Sequence, residues 1–276
     1  MKLKLIYAAN SMVKLMRDRI VITKFSASSK RNQNLLIKKA LIAVVGPVGV
    51  GKSTIIMLLS DSLREKGVPV ITIYLKAFHG LSFVIWQLIN KLMFSSQKVL
   101  SSQSAVAPWY KISKLHEKLA WKLTLFTALI DALLSIPLKL LQIHILRLIG
   151  YTVLCEEYFY GTLMDYTYTF TNAKTLRGRR ILSFAIKIFI SELLKTKPHI
   201  TIMLDADISD LFNRWKKRGY GDPQLQYVIF QKAFLNKLIT GGLLPMYNFK
   251  VLYADTSGLN ESTLLRLVEE SITKLY

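Results

Sequence analysis

A chain of 276 residues is long enough to bury a sizeable hydrophobic core, and we treat it as one α/β domain with extensions. Its 38 lysines and arginines outnumber its 17 aspartates and glutamates, and the net charge of +21 favours anionic partners such as nucleotides, nucleic acid or an acidic membrane face. The single cysteine, Cys155, excludes an intrachain disulfide, and with only four scattered histidines the chain shows no zinc-ligand spacing.

The first part of the chain differs from the rest. Residues 1–38 are basic and end in the polar cluster SASSKRNQN, which is typical of an extension followed by a linker. Nothing in this stretch resembles a cleaved signal sequence. We therefore predict a basic N-terminal extension over residues 1–38 and a folded domain over residues 39–276.

Five short apolar runs in the domain predict buried strands. They cover residues 40–45, 70–75, 151–155, 200–204 and 251–255, and stretches with helical periodicity separate them. The last helix is predicted to begin near Asn260, a residue suited to a helix N-cap. Alternation of strands and helices predicts an α/β fold with a doubly wound, five-stranded parallel sheet and helices on both of its faces.

The apolar middle of the chain raises the question of a membrane span. Residues 77–90 form a charge-free stretch of 14 residues, which is shorter than the ~18 that a span needs. Residues 123–149 carry three spaced charges and Pro137. We therefore predict a pair of buried helices in a helical insertion over about residues 95–150, with a membrane span as the alternative.

The strongest motif follows the first predicted strand. GPVGVGKST over residues 46–54 matches the phosphate-binding loop pattern G-x-x-x-x-G-K-[ST], between a strand and a helix. The predicted nucleotide contacts are Gly46, Pro47, Val48, Gly49, Val50, Gly51, Lys52, Ser53 and Thr54. Backbone N–H groups would surround the phosphates, Lys52 would reach the β and γ oxygens, and Ser53 would hold Mg²⁺. The motif predicts that ATP and Mg²⁺ bind here.

Acidic residues follow two of the predicted strands. Glu156 and Glu157 come directly after residues 151–155, where a P-loop protein keeps the carboxylate that holds the magnesium shell or accepts a substrate proton. We predict that Glu156 is a catalytic and metal-binding residue. Asp205, after the fourth strand, is the alternative, and two adjacent carboxylates at a strand end could also be simply solvated.

Other candidates lie near the same predicted sheet edge. Lys76 and His79 follow the second strand, where ligands of open α/β sheets bind, and together with Glu157 and Tyr158 they are the predicted substrate contacts. Arg214 and Arg218 lie in DLFNRWKKRGYGD and are predicted to be cations of a mobile lid over the transferring phosphate. A solvated helix face explains that segment equally simply.

Taken in order, GPVGVGKST, YLKAFHG, VLCEEYFYG, PHITIMLDAD with RWKKRG, and VLYADTSG resemble the thymidylate kinase family of P-loop nucleotide kinases over roughly residues 38–276. The resemblance implies a P-loop NTPase fold, ATP, Mg²⁺ and phosphoryl transfer to a nucleoside monophosphate. It places Lys76 where the family usually has an arginine for the substrate phosphate, and Arg214 and Arg218 on the lid arginines. Asp205 falls on the acid of the LD motif.

Three positions depart from the family pattern. Val48 replaces an acid that contacts the substrate sugar, Glu156 and Glu157 replace an aspartate–arginine pair, and Gly161 replaces a polar residue. A glutamate in place of that arginine would repel a phosphate by about 4 kcal/mol for unit charges about 4 Å apart near a protein surface. The donor half of the predicted site is thus preserved, and the acceptor half is changed.

These observations support three hypotheses. The first is a cytoplasmic nucleotide kinase of the thymidylate kinase type, acting on thymidylate or a related acceptor and, by resemblance, a homodimer. The second is a kinase-like protein that binds ATP in a regulatory role without turnover. The third is a kinase-fold protein that acts at an anionic membrane or on nucleic acid, suggested by the net charge of +21.

Overall fold

In the computed structural model of the protein, the described residues are 39–78, 80–93, 116–171, 176–217, 225–240, 244, 248–257 and 261–275. The predicted extension over residues 1–38 and the cap at Asn260 lie outside them. The predicted helical insertion is described from residue 116 onward.

The described residues form the predicted five-stranded sheet. Its strands are β1 (Leu41–Val45), β2 (Val70–Tyr74), β3 (Thr152–Glu156), β4 (Ile200–Asp205) and β5 (Val251–Asp255). They lie in the order β2-β3-β1-β4-β5, and every neighbouring pair is parallel. The prediction of a five-stranded parallel sheet is confirmed, and each strand lies within one residue of its predicted bounds.

Helices connect these strands. They are α1 (Lys52–Glu65), α2 (Leu81–Met93), α3 (Glu117–Ile130), α4 (Ile136–Leu148), α5 (Tyr158–Thr171), α6 (Leu176–Lys195), α7 (Ile208–Lys217), α8 (Leu225–Thr240) and α9 (Glu261–Leu275), with a π-helical turn at Asp131–Ser135 between α3 and α4.

A hydrophobic core lies on each face of the sheet, and β1 contributes to both. Leu41, Ala43 and Val45 belong to the core that also contains buried residues of α5, α6 and α8. Ile42 and Val44 belong to the core on the opposite face, with buried residues of α1. Because successive strand side chains point to opposite faces, a strand covered on both sides must be apolar throughout. This burial holds the end of β1, where the phosphate-binding motif begins, in a fixed position.

The prediction of a helix pair over residues 123–149 is wrong, because α3, the π-helical turn and α4 form one continuous helix. The N–H of Ile136 bonds to the carbonyl of Asp131, five residues earlier, and Pro137 follows directly. Proline lacks an N–H group and would break a regular α-helix, but the wider π-helical turn releases carbonyl groups from the regular bonding pattern next to it. The chain can therefore pass Pro137 without ending the helix.

By length and composition, the segment Glu117–Leu148 could cross a membrane, and 44 % of its most apolar stretch is buried against the rest of the protein. The same segment also leaves large apolar side chains exposed. They are Leu119, Phe126, Leu133, Leu134, Leu138, Leu141, Ile145 and Leu148.

Candidate active site

The phosphate-binding motif forms a loop between β1 and α1, at the carboxyl edge of the sheet. The φ angles of Gly49 and Gly51 are 91° and 100°, in the left-handed region that favours glycine. A side chain at Gly49 would also meet the carbonyl oxygen of Leu211 in α7 at 3.2 Å. Helix α1 begins at Lys52, so its free N–H groups face the loop and favour an anion there.

Lys52 is buried under this loop, where it makes two hydrogen bonds and an ion pair. Its Nζ donates hydrogen bonds to the carbonyl oxygens of Gly46 and Pro47, each at 2.9 Å. The same Nζ lies 3.1 Å from Oε1 of Glu157, and both side chains are at most 7 % exposed. The lysine predicted to bind the β- and γ-phosphates is therefore paired with a carboxylate in this structure.

Glu157 reaches this position through an unusual turn after β3. Its φ is 69° and that of Tyr158 is 48°, and its N–H donates to the carbonyl oxygen of Val44 at 2.9 Å. Left-handed backbone at residues other than glycine is uncommon and costs about 1 kcal/mol or more per residue. Such strain is often found at functional sites. Here the turn carries a glutamate side chain into the protein instead of into solvent.

Gly161, one helical turn later, makes room for that side chain. A Cβ atom at Gly161 would lie 2.6 Å from Oε2 and 2.9 Å from Cβ of Glu157. These distances are too short for any larger residue, so the two sequence departures at positions 157 and 161 have one structural cause. Gly161 permits the burial of Glu157.

Glu157 joins the two lysines predicted to bind phosphates. The Nζ of Lys76 lies 3.5 Å from the same Oε1 atom that contacts Lys52. Burial raises the pKa of Glu157, but Lys52 and Lys76 outweigh this effect and hold it below its usual value. Burial lowers the pKa of Lys76, but Glu157 and then Asp165 raise it well above its usual value. Glu157 and Lys76 therefore form a charged pair.

The structure adds three residues that the sequence analysis missed: Asp165, Tyr227 and Gln231. The Tyr227 hydroxyl donates a hydrogen bond to Oδ1 of Asp165. Oε1 of Gln231 accepts a hydrogen bond from the N–H of Val48 at 3.1 Å, which ties α8 to the phosphate-binding loop. Burial raises the pKa of Asp165 to about 6, although Lys76 opposes the shift. Gly161 and Asp165 lie four residues apart on one face of α5, a spacing that could have indicated Asp165.

Ser53 and Glu156 form a second pair in the same region. The Ser53 hydroxyl lies 3.1 Å and 3.2 Å from the two carboxylate oxygens of Glu156. Burial raises the pKa of Glu156, and Lys52 opposes that rise. A hydroxyl and one carboxylate fit Mg²⁺, which usually takes one or two protein carboxylates together with substrate phosphates. These two residues would hold the ion.

The alternative acid, Asp205, interacts with two other side chains. Its Oδ1 pairs with Nζ of Lys232 at 2.9 Å, and its Oδ2 accepts a hydrogen bond from the Tyr253 hydroxyl at 3.0 Å. The geometry therefore favours Glu156 over Asp205 beside Ser53.

Arg214 is anchored beneath the phosphate-binding loop, and its role as a lid cation stays a prediction. Its Nη1 donates to the carbonyl oxygen of Val50 at 3.3 Å and to the Thr256 hydroxyl at 3.0 Å, and its Nη2 donates to the Thr256 carbonyl at 2.9 Å. Three hydrogen bonds to two segments hold the guanidinium in place. Arg214 thus links α7, the loop and the end of β5.

Tyr158 is not a substrate contact, and that prediction is wrong. It is 0 % exposed and belongs to the core that also contains Phe159 and Tyr160. Its hydroxyl lies 2.9 Å from that of Thr196. The left-handed backbone directs Tyr158 under the sheet edge while Glu157 faces the lysines. His79 and Arg218 lie outside the described residues.

Asp131, in the π-helical turn, holds the segment that carries Lys76. Its carboxylate accepts hydrogen bonds from the Phe78 N–H at 2.8 Å, the Ser82 hydroxyl at 2.5 Å and the Tyr166 hydroxyl at 2.8 Å. Phe78 has a left-handed φ of 60°. π-Helical turns often occur at functional sites. This one places a buried carboxylate where it can fix the turn after β2.

The architecture is similar to that of solved kinase structures. Deoxyadenosine kinase from M. mycoides with bound dCTP gives a TM-score of 0.53 at 15 % identity, over 85 % of this chain and 99 % of that one. The chain has a P-loop kinase fold. Thymidylate kinase from Candida albicans gives a TM-score of 0.51 at 20 % identity, over 85 % of this chain and 91 % of that one. The resemblance noted in the sequence is confirmed for the fold. No family model matches the sequence, and no curated protein matches it.

Proposed function

We propose that this protein is an ATP-dependent phosphotransferase that moves the γ-phosphate of ATP to a small acceptor bound beside Glu157. The observation that carries the proposal is the phosphate-binding loop at the carboxyl edge of the sheet, with Lys52 buried beneath it and Ser53 next to Glu156. In open α/β sheets ligands bind at this edge. The kinase fold supports the same conclusion.

Each group of residues has its own role in phosphoryl transfer. The loop N–H groups and the start of α1 bind the phosphates, and Lys52 moves from Glu157 to the β and γ oxygens. Mg²⁺ held by Ser53 and Glu156 would neutralise charge on those oxygens. Arg214 and Gln231 keep the loop in place through Val50 and Val48. Positioning and charge stabilisation supply most of the catalysis in reactions of this class.

The acceptor belongs to the nucleoside or nucleotide class in this proposal. A thymidylate kinase and a deoxyadenosine kinase are among the similar structures. The sequence motifs favour a nucleoside monophosphate, as in the thymidylate kinase type. Lys76 is the residue predicted to contact its phosphate.

Direct assay tests the proposal. The protein is incubated with Mg²⁺, γ-labelled ATP and a panel of nucleosides and nucleoside monophosphates, and labelled products are separated by chromatography. We expect transfer to at least one acceptor, and loss of that transfer in Lys52→Ala. The absence of any Lys52-dependent product, with ATP still bound, would contradict the proposal.

A second candidate function is ATP binding without turnover. The ion pair between Lys52 and Glu157 favours it, because ATP must displace a buried carboxylate before it can use the lysine. ATP would then raise the melting temperature while no acceptor is phosphorylated. Measured turnover would exclude this candidate.

Three further statements stay predictions. They are that the protein forms a homodimer, that it binds an anionic membrane surface or nucleic acid, and that it is cytoplasmic.

A further inference from the structure

The acceptor side of the site contains buried polar atoms that lack partners. Oε2 of Glu157, Oδ2 of Asp165 and Nε2 of Gln231 are buried and have no hydrogen-bond partner among the described residues. Glu157 is 2 % exposed, Asp165 is 4 % and Gln231 is 0 %. A buried polar atom without a partner costs about 1–3 kcal/mol, and a bound molecule is one way to satisfy it. Two of the three can only accept hydrogen bonds when ionised.

These atoms lie next to the phosphate-binding loop. Glu157 contacts Lys52 at 3.1 Å, and Gln231 accepts a hydrogen bond from the N–H of Val48. Asp165 lies two helical turns after Glu157, and its charge interacts with those of Lys76 and Glu157. A molecule that contacts Glu157 and Gln231 would therefore sit beside the terminal phosphate of a nucleotide bound in the loop.

The charges of this region do not suit a phosphate. When a triphosphate takes Lys52 and Mg²⁺ takes Glu156, the charged groups on the acceptor side among the described residues are Lys76, Glu157 and Asp165. Together these three carry one net negative charge. The Nζ of Lys76 lies 3.5 Å from Glu157, so a phosphate bound by this lysine would also lie close to that carboxylate. The left-handed turn directs the Glu157 side chain inward, and Gly161 leaves it the space that it occupies. A phosphate dianion would have to displace Glu157 or lie against it.

We propose that the acceptor reaches this site as an uncharged molecule whose hydroxyl or amino groups donate hydrogen bonds to Glu157 and Asp165, namely as a nucleoside and not as a nucleoside monophosphate. This inference rests on the proposed phosphotransferase function and specifies its substrate. Glu157 and Asp165 are then specificity-determining residues, because they attract N–H and O–H donors and repel phosphate oxygens.

The reaction follows from ordinary phosphoryl transfer. The acceptor hydroxyl oxygen forms a bond to the γ-phosphorus, and the bond from that phosphorus to the β,γ-bridging oxygen breaks, with its electron pair leaving on ADP. The hydroxyl proton is released to water. The products are ADP and a nucleoside monophosphate.

Matched pairs of acceptors test the inference. The wild-type protein is loaded with Mg²⁺ and a non-hydrolysable ATP analogue, and calorimetry measures the affinity for each nucleoside and for its own 5′-monophosphate. A parallel assay with labelled ATP measures phosphorylation of the same pairs. We expect at least one nucleoside to bind about ten-fold or more tightly than its monophosphate, a difference equal to about 1.4 kcal/mol, and to be phosphorylated.

Charge-neutral variants sharpen the test. Glu157→Gln and Asp165→Asn should each raise the affinity for the monophosphate relative to the nucleoside by about ten-fold. The matched control is Asp61→Asn, which removes an exposed carboxylate on α1 and should leave the ratio unchanged. Circular dichroism and a melting curve establish that each variant is folded.

The outcomes separate this inference from the proposed function. Preferred binding and diphosphate formation with a monophosphate would overturn the nucleoside assignment and leave the phosphotransferase intact. Binding of the ATP analogue with no binding of any nucleoside would also overturn it. Failure to bind the analogue at all would overturn the proposed function itself.

Discussion

The donor side and the acceptor side of the site are built in different ways. On the donor side, a short motif supplies the loop, the lysine and the hydroxyl, and Arg214 and Thr256 brace it from outside. On the acceptor side, residues from the turn after β2, from α5 and from α8 converge, and the central group is a buried carboxylate that bridges two lysines. Similar P-loops can therefore serve different acceptors, because the donor side is local in sequence and the acceptor side is assembled by the fold.

The largest expected effect tests the donor side. Lys52→Ala should reduce kcat/KM for phosphoryl transfer by about 10³-fold, equivalent to about 4 kcal/mol, because the charge that stabilises the transferring phosphate is lost. Steady-state kinetics with the best acceptor measures it. Lys122→Ala, which removes an exposed lysine on α3, is the control and should retain full activity. A loss below about ten-fold would mean that Lys52 remains with Glu157 during the reaction.

The second effect concerns the support of the acceptor side. Asp131→Ala should lower the free energy of unfolding by about 3 kcal/mol, because the donors of Phe78, Ser82 and Tyr166 lose their shared partner. Urea denaturation measures it. Asp131→Asn keeps one acceptor oxygen and should cost less. Equal losses in the two variants would show that the carboxylate is not what holds the turn carrying Lys76.

A third prediction tests the link between positions 157 and 161. Gly161→Ala should destabilise the protein by about 2 kcal/mol, since the new methyl group would overlap the Glu157 side chain. The control is the same change in a Glu157→Gly background, where the obstructing side chain is absent and the left-handed φ suits glycine. In the Glu157→Gly background, we expect Gly161→Ala to destabilise the protein by well below about 2 kcal/mol. Additive costs in this double-mutant cycle would show that the two sites are independent.

The smallest effect is a pH dependence from Asp165. Burial raises its pKa to about 6 in the folded protein, above the value near 3.9 of an unfolded chain. The folded state therefore binds the proton more tightly, and this contribution to stability is complete below about pH 4 and lost as the pH rises through about 6. Relative to Asp165→Asn, the wild type should lose about 1–2 kcal/mol between pH 4 and pH 7, because charged neighbours reduce the full effect.

Denaturation curves at several pH values provide the measurement for Asp165. Asp255→Asn is the control: hydrogen bonds from Ser257 lower the pKa of the Asp255 carboxyl, so its contribution is lost only as the pH falls. The difference in unfolding free energy between Asp255→Asn and the wild type should not change between pH 5 and pH 7. A flat wild-type profile across that range would mean that Asp165 is ionised throughout.

Sequence patterns predicted the sheet because β1, β3 and β4 are buried on both faces and must be apolar along their whole length. Patterns were less informative for α3 and α4, where Pro137 indicated a break. They also failed at Tyr158, because only the backbone conformation decides which of two adjacent side chains enters the core. The composition of residues 156–158 contains no sign of two consecutive left-handed residues.

By itself, the sequence determined the phosphate-binding loop, the succession of strands and helices along the chain, and the acids that follow the strands. These features are local, since each depends on neighbours within one turn or one strand. Only the tertiary structure decided that Glu157 bridges Lys52 and Lys76, that Gly161 makes room for it, and that Asp165 and Gln231 join them. Those contacts join residues as far apart as 183 positions, and only the packing of helices on the sheet brings them together.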